Sequence, residues 1–186
     1  MTEDIKDPLV DLADAHMRKV TFVKFHPTAS NVLATGSADH TVKLWDIESG
    51  DEKWVGDIPD LIQDLKFSYS GNLIGTTCKD KNFRMYDPRT AKEATMTFHD
   101  HDGAKCSKMT FLGDSDRFIT CGFSKSNKRE FKIWDMKDVS KPLHTQAIDN
   151  AAGVMLPHYD EDIGVLYIGA KGDGNIRFYE LSDEAP

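Results

Sequence analysis

The stretch GSADHTVKLWDIESG, residues 36–50, places Asp39 six residues ahead of a Trp45-Asp46 pair. Between them Val42 and Leu44 are apolar and Lys43 is basic, a period of two that predicts a β-strand rather than a helix. Three more segments share this register: KNFRMYDPRTA (81–91), REFKIWDMKDV (129–139) and GNIRFYELSDE (174–184). Each carries an aromatic followed by an acid, at Tyr86-Asp87, Trp134-Asp135 and Tyr179-Glu180, and the aromatic recurs after 41, 48 and 45 residues. Positions one and three before it are apolar, while the position two before is always a cation: Lys43, Arg84, Lys132 and Arg177. A long aliphatic stem laid over apolar surface, its charge at the rim, accounts for that cation without a binding site.

Upstream of each unit are two more strand signals. VTFVKFHP, IQDLKFSYSG and KCSKMTFLGD each end at a turn and lead into NVLATGS, NLIGTTC and RFITCGF. A shorter run such as EKWVGDI or KPLHTQAI follows the aromatic-acid pair. One unit is therefore a four-stranded antiparallel sheet, and a period near ~40–45 residues is that of a propeller blade. The predicted fold is all-β, an incomplete propeller within one domain, 1–186, with units at 16–58, 59–98, 99–149 and 150–186. The fourth unit stops before an outer strand, and PLVDLAD reads as the outer strand of a preceding blade. An open set of blades leaves sheet edges and apolar faces uncovered, which predicts self-association.

The opening stretch also suggests chemistry. Asp39, Asp80 and Asp173 share the offset of six before the aromatic, in the turn between strands. With His16 in the loop leading into the first strand, Trp45 is expected to donate to Ser37, Ser37 to meet His16, and His16 to meet Asp39. A Ser-His-Asp triad uses the same residue types but needs an exposed nucleophile and an oxyanion hole. An aspartate repeated in three units favours a buried scaffold, so no catalytic residue is assigned. The second unit has Cys78 at the Ser37 position, and the third has His101 but Lys128 at the aspartate offset.

A net charge of −8, from 31 acidic and 23 basic residues, argues against a general nucleic-acid binder. No apolar run approaches the ~20 residues of a membrane-spanning helix. The acidic N-terminal segment has no signal-peptide pattern. Cys78, Cys106 and Cys121 form no CxxC pair, which suits a reducing compartment; Cys78 and Cys121 lie in apolar strand runs. His99-Asp100-His101 imitates a metal pair but lacks a third ligand. GAKGDGNIR (169–177) lies between strands without a following helix and reads as a tight hairpin, not a phosphate loop. Neither a metal nor a cofactor is expected.

The blades resemble WD repeats, and beyond that the coronin family of actin-associated WD-repeat propellers. The resemblance rests on VTFVKFHPTASNVLATGSADHTVKLWD, SYSGNLIGTTCKDKNFRMYDPR, FITCGFSKSNKREFKIWD and AKGDGNIRFYEL, and covers nearly the whole chain. It implies about four of seven blades, with the remaining blades, the carboxy-terminal extension and the oligomerising coiled coil absent from this chain. It further implies a non-enzymatic scaffold that binds filamentous actin, and other cytoskeletal proteins, in the cytoplasm and at the cell cortex.

Propeller loops at the disc faces are the usual contact surfaces. Residues 79–92 hold five basic and two acidic side chains, among them Lys79, Lys81 and Arg89. Residues 125–132 hold four and one, among them Lys125, Lys128 and Arg129, in a turn three residues longer than its counterpart in the first unit. These six are the candidate actin-facing residues. The acidic runs at 159–162 and 182–184 read as solubilising. A generic WD-repeat adaptor for another multiprotein complex remains the alternative.

Overall fold

The structure is a computed structural model that describes residue 8 and residues 10–181; the acidic run at 182–184 and residues 1–7 lie outside them. Fifteen strands, and no helix, are present among the described residues. The first sheet is β1 (Val20–Phe25), β2 (Val32–Ser37), β3 (Thr41–Asp46) and β4 (Asp51–Asp57). The second is β5 (Ile62–Phe67), β6 (Ile74–Cys78), β7 (Asn82–Tyr86) and β8 (Met96–His99). The third is β9 (Lys108–Phe111), β10 (Arg117–Phe123), β11 (Arg129–Asp135) and β12 (His144–Asp149). The fourth has β13 (Met155–Asp160), β14 (Val165–Ala170) and β15 (Arg177–Glu180). Each is an antiparallel meander in chain order, the blade architecture that the alternating segments predict.

The strand expected at PLVDLAD is not seen among the described residues of that stretch. Residue 8 and residues 10–14 carry no strand, and the Ala15 N–H bonds to the Leu12 carbonyl at 3.2 Å in a turn. Without a neighbouring sheet edge, an extended segment has no partner for its backbone groups.

The recurring aspartate is explained by the hairpin between the second and third strands of a blade. His40 N–H bonds to the Ser37 carbonyl and Lys81 N–H to the Cys78 carbonyl, and both turns place the residue after the aspartate in the left-handed region (φ 68° and 65°). The aspartate then folds back: Asp39 Oδ1 accepts from Thr41 N–H and Asp80 Oδ1 from Asn82 N–H, each at 3.1 Å. That is the Asx geometry which favours Asp in turns. In the third blade the extra residues lengthen the ladder, with pairing continued to Phe123 opposite Arg129. The glycine-rich 169–177 segment is looser than a tight hairpin: a turn from Ala170 to Asp173 is followed by residues 174–176 in no strand.

The core lies between blades rather than within one. Val42, Leu44 and Trp54 of the first blade pack on Ile62, Leu65, Ile74 and Tyr86 of the second. Phe83 and Met85 of the second meet Met109, Phe118 and Trp134 of the third, with Phe83 and Phe118 stacked at 4.6 Å between centroids. Ile119, Cys121 and Phe131 of the third meet Met155, Leu166 and Ile168 of the fourth. Period-two alternation gives each sheet two apolar faces, and each junction buries the forward face of one blade against the rear face of the next. Cys78 and Cys121 are buried there as free thiols, and burial pushes Cys78 up to about 11.

Candidate functional site

In the first blade the polar chain runs through Thr35, not Ser37. Trp45 Nε1 donates to Thr35 Oγ1 at 2.8 Å, and Thr35 Oγ1 lies 2.7 Å from His16 Nε2. His16 Nδ1 is 3.0 Å from Asp39 Oδ2. A consistent set of roles has the Thr35 hydroxyl donating to Nε2 and the Nδ1–H donating to the carboxylate. Burial opposes ionisation of Asp39, yet hydrogen bonds from the Thr41 hydroxyl, the Met17 N–H and His16 hold its carboxyl well below the usual range. Ser37 is the correction: its hydroxyl donates to the Arg18 carbonyl at 3.1 Å and accepts from the Asp39 N–H. It is buried and directed away from His16, so it cannot act as a nucleophile activated by that histidine.

The third blade builds the same chain from different letters. Trp134 Nε1 donates to Thr120 Oγ1 at 2.9 Å, Thr120 Oγ1 is 3.1 Å from His101 Nε2, and His101 Nδ1 is 3.0 Å from Glu130 Oε1. The longer side chain of Glu130, on the strand, takes the place that Lys128 leaves empty in the turn. Asp100 beside it is fully buried, and burial pushes its carboxyl up against the pull of His101.

Asp80 and Asp173 do not meet histidines. Asp80 is bidentate to Arg84, the cation two before the aromatic. Asp173 joins a cluster that spans two blades: Arg129 holds Asp149 at 2.6 and 2.5 Å and Asp173 at 2.8 Å, while Arg177 holds the same two carboxylates at 2.7 and 3.0 Å. The cation two before the aromatic is thus a structural partner in each blade. Lys43 pairs with Glu52 at 2.6 Å, and Lys132 lies over Trp134 and donates to the Asp100 carbonyl.

The candidate basic residues separate sharply. Arg129 is only 1 % exposed and fixed in the inter-blade cluster, which removes it from any contact surface. Its backbone pairs with Asp149 in the ladder, so its side chain turns toward the acidic junction rather than outward. Lys125 and Lys128, in the turn before it, are exposed and form no ion pair among the described residues. Lys79 is exposed in the equivalent turn of the second blade, whereas Lys81 is half-buried and donates to the Asp102 carbonyl at 2.7 Å. Arg89 follows β7 instead of preceding it, so strand direction puts it on the opposite disc face, clamped to Asp87 at 2.8 Å. One face therefore presents Lys79, Lys125 and Lys128, with Lys105 and Lys171 exposed in loops on the same side.

His99 points outward to Asp102 while His101 points inward, so the apparent metal pair is split. Among the described residues, no group of three or more His, Cys, Asp or Glu side chains is placed to hold a metal, and no helix is long and apolar enough to cross a membrane.

Residues 8–46 match the WD domain, G-beta repeat family. The chain is 40 % identical over 183 residues to Coronin-like protein crn1 of Schizosaccharomyces pombe, covering 98 % of this chain and 30 % of that protein. It is 35 % identical over 177 residues to human Coronin-2A, covering 92 % and 33 %. The crystal structure of the WD40 domain from Toxoplasma gondii coronin superposes with a TM-score of 0.90 at 32 % identity, over 95 % of this chain and 46 % of that one. The chain thus spans about a third of the length of these curated relatives. Its blade register, its hairpin aspartates and these likenesses agree: over nearly its full length the chain is similar to the WD-repeat region of coronins.

Proposed function

We propose that the chain is a non-catalytic scaffold that binds actin filaments through the disc face bearing Lys79, Lys125 and Lys128, acting in the cytoplasm at the actin-rich cortex. Actin is the partner that kinship with coronins implies. The observation that carries the choice of surface is the exposed pair Lys125 and Lys128 on the hairpin of the longest strand pair, beside an Arg129 that is neutralised within the blades. Unpaired cations at the tip of a rigid hairpin steer an acidic filament surface and fix its orientation more than they supply affinity. The non-catalytic reading is supported by the polar clusters themselves: the His16 and His101 chains end on indole and threonine groups inside the blades.

Co-sedimentation with actin filaments tests this. The folded chain should pellet only when filaments are present, and the pelleted fraction should fall as salt screens the contact. A folded chain that stays in the supernatant at low salt would contradict the proposal and favour an adaptor role in another complex.

A further inference from the structure

The third blade differs from the first at the position just before its histidine: Ala15 precedes His16, whereas Asp100 precedes His101. Asp100 is 1 % exposed, and among the described residues neither of its carboxylate oxygens has a hydrogen-bond partner. A buried carboxyl in that condition is costly when ionised and far less so as a neutral acid. The chain from tryptophan through threonine to histidine does not need it, since the first blade completes the same chain beside an alanine.

The His101 imidazole has a carboxyl group at each of its nitrogens. Nδ1 is 3.0 Å from Glu130 Oε1, while Nε2 is 3.1 Å from Thr120 Oγ1 and 3.3 Å from Asp100 Oδ1. The hydrogen bond from His101 lowers Glu130, against burial, and Lys132 stands 3.6 Å from the same oxygen. Glu130 is therefore the ionised partner and accepts the Nδ1–H, which leaves Nε2 with a lone pair. An ionised Asp100 would set its own lone pairs against that one. Burial pushes the Asp100 carboxyl up, against the pull of His101, Thr120, Lys132 and Ser107. The cations and acids around it are occupied elsewhere. Lys132 donates to the Asp100 backbone carbonyl at 2.6 Å, Lys81 donates to the Asp102 carbonyl at 2.7 Å, and His99 pairs with Asp102 at 3.0 Å. The Cys121 thiol behind it is pushed up by burial and by Asp100 and Asp64, so it stays neutral. The cleft over His101 has no room for a water molecule. A proton is the one ligand that needs no room.

We propose that Asp100 keeps its proton at neutral pH and holds it toward Nε2 of His101, so that a proton latches the connection between the second and third blades. The latched segment is residues 100–103. Asp100 N–H bonds to the Lys81 carbonyl in the second blade's hairpin at 2.9 Å, and Gly103 N–H to the Phe123 carbonyl in the third blade's hairpin at 2.7 Å. A Cβ on Gly103 would strike Phe123, and one on Gly122 would strike the His101 ring, so segment, ring and hairpin are in close contact. Loss of the proton puts an uncompensated charge beneath the segment and loosens its hold on both hairpins. The latch operates whether or not this disc face meets a filament.

Infrared spectra of the full chain at neutral pH test this, because solvated carboxyl groups are ionised there. The wild type should show the carbonyl band of a carboxylic acid, absent from Asp100→Asn and lost from the wild type as pH rises. Stability should follow with a definite sign. The folded value lies above the ordinary 3.8, so the folded chain binds one proton more than the unfolded chain and loses stability as pH rises from 3.8 toward the folded value. Asp100→Asn mimics the neutral acid without that dependence. Its folding equilibrium, relative to the wild type, should therefore improve by up to about tenfold per pH unit across the window. If Asp100→Asn does not fold, Asp100→Ala, which restores the first blade's alanine before the histidine, is the reference for both readings. A folded wild type with no acid band at neutral pH, or a variant advantage that does not grow with pH, would overturn the proposal.

Discussion

At Thr35 one hydroxyl accepts from an indole and meets an imidazole, and Thr120 does the same in the third blade. Thr35→Val keeps the shape but leaves the Trp45 N–H and a His16 nitrogen unpaired in a buried site. The expected loss is about 1–3 kcal/mol in urea unfolding at fixed protein concentration; an unchanged midpoint would remove Thr35 from the network. The network's aromatic, histidine and aspartate ends were legible in the sequence, whereas its middle was not. Thr35 and Ser37 are two apart on one strand and point to the same face, so alternation alone could not choose between them. Glu130 was missed for a related reason: an aspartate was expected in the turn, and a longer acid reaches the same histidine from the strand. The misplacement of Arg129 has the opposite origin, because its charge was counted in a basic run while its partners, Asp149 and Asp173, lie 20 and 44 residues away.

Between elements, stability resides in the blade junctions. Phe83 is fully buried and stacked on Phe118 across the second junction. Phe83→Ala should cost about 3–5 kcal/mol, read by denaturant unfolding, and a change under about 1 kcal/mol would show that this junction is not closed in solution. At the third junction the ion cluster adds a pH dependence. Hydrogen bonds from Arg129 lower Asp149 from the ordinary 3.8 to about 2. A depressed carboxyl contributes stability that is complete above its unfolded pKa and is lost as pH falls through the folded one. The wild type should therefore lose stability between pH 3.8 and about 2. Asp149→Asn should be less stable at neutral pH and should show a flatter loss in that window; an identical acid profile would contradict the assignment. Strand order and blade count follow from periodicity. The inter-blade pairs do not, since they depend on which faces meet.

Across the whole molecule, the four-fold recurrence of one register decides the architecture, because each blade must repeat the same two apolar faces to bury them against its neighbours. The contact surface is a weaker signal in sequence: Arg89 and Lys79 are ten residues apart in a single basic run but emerge on opposite disc faces, since β7 runs from one face to the other. This separation supplies the most direct measurement of the account. Filament co-sedimentation would compare the wild type, Lys125→Glu/Lys128→Glu and Arg89→Glu, each checked for fold and spun without filaments. The lysine-pair variant should lose most of its pelleting and the Arg89 variant should keep it. Equal binding by all three folded proteins, or a loss confined to Arg89→Glu, would contradict the placement of the filament contact on the Lys125–Lys128 face.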